Sequence, residues 1–254
     1  MTTGLIGDTA RLTGRSLRHI TRSPDTIITT TIMPIAFMLL FVYVFGGSIN
    51  TGSGPYVNYL LPGILIITIA SSISYTAFRL FQDLNGGMIS RFRSMPITRS
   101  AVLWAQVLTS LVATSVSCVV VVLVAVAMGF RSSASVVSWC VIAGLLLVFT
   151  LALTWLAVLA GLSAKTLDGA VAFSYPLIFL PFVSSAFVLT ATMPGPVRAF
   201  AEHQPVTPLV ESIRQLLSQQ GAVTSSMWSA LAWCVGLLVA AYVLAMWAYR
   251  RRFA

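Results

Sequence analysis

Apolar residues run through this chain in six long blocks, roughly residues 27–46, 58–80, 101–128, 136–160, 170–190 and 228–248. Each is continuously apolar rather than alternating, which reads as helix and not as barrel strand. About 20 such residues cross the hydrocarbon core of a bilayer, so the pattern predicts an all-α integral membrane protein with six transmembrane helices. The polar breaks are short except for residues 191–227.

Within residues 1–26, ahead of the first block, Arg11, Arg15, Arg18 and Arg22 recur at steps of four, three and four, and so share one helical face. This is the pattern of an interfacial helix with its arginines toward lipid headgroups or a partner; plain topology-setting arginines give the same pattern. Ser23-Pro24 ends the helix, because the residue before proline disfavours the α region. In the first block Pro34 follows Thr29, Thr30 and Thr31, which predicts a kink whose freed carbonyls are met by hydroxyls or neighbouring helices. In the long break Thr207 stands where it would cap a helix, with Pro208 at the first position. Leu209, Val210, Ile213, Leu216 and Leu217 then share one face, and Glu211, Arg214 and Gln215 point away from it. The expectation is an outer amphipathic helix, too short to span, that lies on the surface or dips in as a re-entrant element.

Composition agrees with a membrane protein: 57% of residues are hydrophobic and 8% charged, against about 25% charged in a soluble domain. The N-terminus lacks the pattern of a cleaved secretory signal. The net charge of +9 does not point to nucleic acid, because of where it lies. With the N-terminus inside, Arg11, Arg15, Arg18, Arg22, Arg79, Arg91, Arg93, Arg99, Lys165, Arg250, Arg251 and Arg252 fall on the cytoplasmic side; only Arg131, Arg198 and Arg214 fall outside. The positive-inside rule therefore predicts that both termini are cytoplasmic.

Catalytic chemistry finds no footing. The six acids, Asp8, Asp25, Asp83, Asp168, Glu202 and Glu211, all sit at block boundaries or in breaks. No acid pair is available for intramembrane catalysis, and no mid-span acid for a proton- or sodium-coupled relay. Cys118, Cys140 and Cys234 are isolated, and His19 and His203 lie far apart, so no metal site is expected. Lys165-Thr166 after Gly161 has the outline of a phosphate loop, but Ala164 replaces the second glycine and no strand precedes it;. If the chain works uphill, the energy must arrive from a partner at the cytoplasmic face. Between the second and third blocks, Gly86-Gly87 leads into Ile89, Arg91, Phe92, Arg93, Met95 and Pro96, aromatic, Met and Arg types enriched at protein interfaces. The segment reads as a docking surface, or as a topogenic loop that only obeys the charge rule.

The run Asp83-x-x-Gly86-Gly87…Arg91-Phe92-Arg93-Ser94-Met95-Pro96-Ile97-x-Arg99 resembles the motif between the second and third spans of type-2 ATP-binding-cassette (ABC) exporter permeases, with daunorubicin-resistance permeases of actinobacteria the nearest resemblance. A second block, Tyr175 to Leu217, resembles that family's fifth span and outer re-entrant region. The resemblance covers essentially the whole chain as one transmembrane domain. It implies a multi-pass protein of the bacterial inner membrane, paired with a second permease subunit, identical or paralogous, and with two copies of a cytosolic ATPase that bind ATP and Mg. It makes residues 88–96 a cytoplasmic coupling helix, and it points to export of hydrophobic antibiotics or lipids. Phe37, Phe41, Phe173, Phe179 and Phe182, and beside them Tyr43, Phe45, Tyr175 and Phe187 on the same two blocks, are then candidates to line the route between subunits; packing and interface-belt roles suit the same residues. The alternative is a membrane assembly or sensor subunit that recruits a cytosolic protein without transport.

Overall fold

A computed structural model describes residues 25–46, 56–86, 99–188, 190, 193–218 and 225–253. The interfacial helix expected ahead of residue 25 lies outside them. So does the coupling segment, with Ile89, Arg91, Phe92, Arg93, Met95 and Pro96. In chain order the elements are α1 (Asp25–Leu39, continued by a π turn, Leu40–Phe45), α2 (Tyr56–Asn85), α3 (Arg99–Ala127) and α4 (Val136–Ser163). There follow α5 (Leu167–Ala172), α6 (Ser174–Phe179, continued by a 3-10 turn, Leu180–Val183), α7 (Gly195–Glu202), α8 (Val206–Leu217) and α9 (Ser225–Phe253). The described residues contain no strand. The helices of Tyr56–Asn85, Leu103–Ala127, Val136–Ser163 and Ser225–Arg251 are long and apolar enough to cross a membrane; Thr30–Val44 and Leu167–Val183 are shorter apolar helices.

The central helix is α2. Over its most apolar stretch 83% of residues are buried, against 22% to 33% in the other three long helices, whose outward faces carry the apolar surface a lipid solvent requires. On α3 this face is the stripe Val112, Val116, Val119, Leu123 and Val126. Lipid tails are as apolar as leucine, so helix association needs close packing and interhelical hydrogen bonds. The bundle supplies both. Thr76 pairs with Ser110 at 2.6 Å, Thr114 donates to Ser72 at 2.8 Å, and Thr30 pairs with Ser117 at 3.3 Å. Positions 110, 114 and 117 lie on one face of α3, so a row of hydroxyls ties this helix to α2 and α1. At the other end, Trp155 meets Trp104 edge-on at 5.1 Å and Tyr242 edge-on at 4.8 Å, locking α4 to α3 and α9.

The turn from α3 to α4 needs Gly129, whose φ of +97° is reached without strain only by glycine;. Asn58 then holds Arg131 from both sides: its Nδ2 donates to the Arg131 carbonyl at 3.1 Å, and the Arg131 N–H donates to its Oδ1 at 3.2 Å. The Ser132 hydroxyl donates to the Leu217 carbonyl at 3.0 Å, at the end of α8. Ser135 caps α4 by accepting from the Ser138 N–H at 3.1 Å. The starts of α2 and α4 and the end of α8 are thereby joined in one capped end of the bundle.

The apolar block 170–190 is not one helix. It is built of α5, α6 and the 3-10 turn, Leu167–Val183, about 25 Å long. A turn follows at residues 184–188, called the reversal below. Two prolines explain the breaks. Pro176 sits in the first turn of α6 and Pro181 at the start of the 3-10 turn, and neither can supply a helix-ladder N–H. Ser184 closes the reversal: its hydroxyl donates to the Pro181 carbonyl at 2.6 Å and accepts from the Ala186 N–H at 3.1 Å. At the other end of the block, Thr166 caps α5 by accepting from the Gly169 N–H at 3.1 Å; its hydroxyl is thus spent on a helix end.

Pro34 lies inside α1, which continues helical past it, and a π turn begins six residues later at Leu40. The long break also holds two helices, α7 and α8, where one was expected.

Candidate functional site

Non-helical backbone at membrane depth is tolerated only where protein satisfies its polar groups, so the 184–188 reversal raises an accounting question: what meets its carbonyls? Tyr56 donates to the Phe187 carbonyl at 3.5 Å and Tyr59 to the Ser185 carbonyl at 3.0 Å. Gln204 Nε2 donates to the carbonyls of Leu180 and Val183. Arg214 Nη2 donates to the Ser185 carbonyl at 3.0 Å and to the Tyr59 carbonyl at 3.2 Å. The guanidinium also lies 3.7 Å from the centre of the Tyr59 ring, a cation–π contact strengthened by its removal from water.

The helix α2 is shaped to receive the reversal. Tyr56, Tyr59 and Gly63 fall on one face, and a Cβ added at Gly63 would lie 2.7 Å from that of Ala186, so only glycine permits this approach. Pro62 removes the N–H that would bond the Asn58 carbonyl, loosening the helix ladder beside the Tyr59 carbonyl that Arg214 uses.

Two expectations are corrected here. Arg214 does not point away from the apolar face of α8. It stands four residues after Val210 and three before Leu217, both buried, which places it on the edge of that face. Thr207 does not cap α8, whose N-cap is Pro205. Its hydroxyl donates to the Ala201 carbonyl at 2.5 Å and accepts from the Ser185 N–H at 3.4 Å, joining α7, α8 and the reversal. Glu211, one turn before Arg214, is half-buried; burial pushes its carboxyl upward and Arg214 pulls it back down. Burial lowers the Arg214 guanidinium, while Tyr59 and Glu211 hold it up. On α7 the exposed Arg198 and Glu202 form an ion pair at 2.6 Å, one helical turn apart.

Beside the clasp is an aromatic seam. Phe37 meets Phe182 edge-on at 5.4 Å, Phe41 meets Phe187 at 4.8 Å, Phe182 stacks on Phe187 at 4.9 Å, and Phe179 lies 6.2 Å from Phe182. The π turn of α1 carries Phe41 into this contact; such turns re-aim side chains and recur at functional sites. Phe37, Phe41 and Phe182 are half-buried and join α1 to the reversal. Phe179 is 63% exposed, and Tyr175 and Tyr43 also face outward. Phe173, half-buried against the core, lies further along the block. Sequence reasoning had the seam's rings, Phe37, Phe41, Phe179, Phe182 and Phe187, among its aromatic candidates, but not Tyr56, Tyr59, Gln204 and Arg214 in the clasp.

A multi-pass helical membrane protein with a broken fifth block and a clasp of donors on the turn that follows it is the class these features define. The chain belongs to the ABC-2 type transporter family, which it matches over residues 8–217. It is similar to the daunorubicin resistance ABC transporter permease protein DrrB1 of Streptomyces coeruleorubidus, 27% identical over 245 residues that cover 94% of this chain and 84% of the relative. It is also similar to the probable doxorubicin resistance ABC transporter permease protein DrrC of Mycobacterium tuberculosis, 25% identical over 252 residues covering 97% and 89%. The chain is accordingly a transporter permease subunit.

Proposed function

We propose that this chain is the membrane half of an ATP-driven exporter of hydrophobic or amphiphilic compounds, drug or lipid, in a bacterial plasma membrane. It works with a second permease subunit, identical or paralogous, and with two copies of a separate cytosolic ATPase that bind ATP and Mg. The observation that carries this reading is the near-full-length likeness to permeases named for drug resistance. In it the short helices Thr30–Val44 and Leu167–Val183 cross as well, giving six spans, and the capped end faces outside. Phe37, Phe41, Phe173, Phe179 and Phe182 line the route between the two permease subunits, Phe179 presented to it most directly. The segment 88–96 is the coupling helix, seated in a groove of the ATPase. Nucleotide-driven closure of the ATPase pair pushes it and tilts the bundle, a rigid-body transition.

Purification of the tagged chain from its host should recover a stoichiometric ATPase carrying a P-loop, and deletion of the chain should abolish efflux of the exported compound. Recovery of a kinase or scaffold in place of that ATPase would instead identify a non-transporting assembly subunit.

Orientation is checked separately, in a chain whose Cys118, Cys140 and Cys234 are replaced by alanine. In sealed cells an impermeant thiol reagent should label His203→Cys and not Ser163→Cys, both exposed positions at opposite ends of the bundle. Labelling of Ser163→Cys alone would invert the assignment.

A further inference from the structure

We propose that Arg214 is a positioning residue for transport: it latches the 184–188 reversal onto α2, and outward release of substrate requires this latch to open. The proposal rests on the permease reading above.

The geometry distinguishes a latch from a permanent tie. Two carbonyls of a fixed turn are adequately held by a neutral donor, and Gln204 holds those of Leu180 and Val183 in that way. At Ser185 the fold adds a cation to the neutral Tyr59 hydroxyl. The guanidinium bonds two carbonyls and lies on one tyrosine face; Glu211, one turn away, supports the charge, but no carboxylate stands at ion-pair distance from it among the described residues. Removing one partner of a buried ion pair strands an opposite charge, which is costly; letting go of two carbonyls strands none. Arg214 lies in the last turn of α8, next to exposed Ser218. At that position its side chain reaches water, and the helix dipole favours a cation. Both of its bonds therefore have a replacement in the open state.

The test reads the latch without transport. The cysteine-free chain carrying Ser185→Cys, a position 4% exposed, is placed in lipid nanodiscs and labelled with a water-soluble maleimide. A second reporter, Ala134→Cys, sits in the α3–α4 turn of the same end. Arg214→Gln should speed labelling at 185 about tenfold, the equivalent of losing one charge-assisted hydrogen bond, with no change at 134. Arg214→Lys, which keeps the charge but loses the planar fork, should fall between. Tyr59→Phe, which keeps the ring and loses one hydroxyl, should change the rate about threefold or less. Unaltered labelling at 185 in Arg214→Gln overturns the latch. Equal acceleration at 134 overturns it too, by showing a general packing role. In the assembled transporter, Arg214→Gln should change efflux while leaving ATPase recovery intact, and efflux equal to the parent's overturns the latch's part in transport. An accelerated 185 with no ATPase partner and no efflux in the parent chain would fail the permease reading and leave the latch standing.

Discussion

Replacing Phe92 by alanine is expected to strip most of the ATPase from the purified complex and to abolish efflux. If residues 88–96 dock as proposed, Phe92 and Met95 are the apolar anchors, while Arg91 and Arg93 steer the encounter and pair at the rim. Truncating a buried aromatic anchor costs about 2 kcal/mol or more, roughly a thirtyfold loss of affinity. Removing one rim charge acts mostly on association rate and salt dependence, so Arg93→Ala should be much milder. Both variants should insert normally, because the remaining arginines on that side still set orientation. One mutant series, read for membrane insertion, recovered ATPase and efflux, decides the matter. If Phe92→Ala and Met95→Ala keep wild-type recovery and efflux, the segment is a topogenic loop and coupling runs elsewhere.

Trp155→Ala should be the most destabilising substitution in the bundle. The Trp155 side chain is completely buried, and its indole is edge-on to both Trp104 and Tyr242. Truncation to alanine in a core costs about 3–5 kcal/mol. Close packing is the main force between membrane helices, so the void left between α3, α4 and α9 is not offset by a hydrophobic gain elsewhere. Trp155→Phe keeps an aromatic edge in the same place and should recover much of the loss. Trp247, 53% exposed and covered by Arg251 at 4.2 Å, is the control, because its replacement by alanine opens no cavity. Thermal unfolding in mild detergent separates the three. A Trp155→Ala chain melting with the parent would show that α9 is held by other contacts.

The four long helices were legible in the sequence because bilayer thickness dictates an apolar run, and nothing in those runs interrupts the helix. The fifth block was misread for a physical reason. Its reversal is made of Ser184, Ser185, Ala186 and Phe187, residues small or apolar enough to look like more helix. What permits the chain to turn there is a set of donors, Tyr56, Tyr59, Gln204 and Arg214, that lie up to 131 residues away in sequence. Pro176 and Pro181 were the local signs. Arg214 carried a sign as well, since its spacing from Val210 and Leu217 puts it beside the apolar face; its charge alone was taken to send it to water. The seam was half legible: aromatic rings on the first and fifth blocks marked it, but the π turn that swings Phe41 against Phe187 has no clear signature in composition.

The rod-like form of α2 has a mechanical consequence. Past Pro62 the helix runs unbroken from Gly63 to Asn85, about 34 Å, with one end against the reversal and the other where the chain enters residues 87–98. A lever of that length, tilted by about 5° around its middle, carries each tip roughly 1.5 Å in opposite directions. Added to the 3.2 Å contact that Arg214 makes with the Tyr59 carbonyl of this helix, such a displacement exceeds hydrogen-bonding range. If residues 88–96 couple as proposed, a push on the scale of a single atom at one face of the membrane would, by leverage alone, unfasten the Arg214–Tyr59 contact near the other.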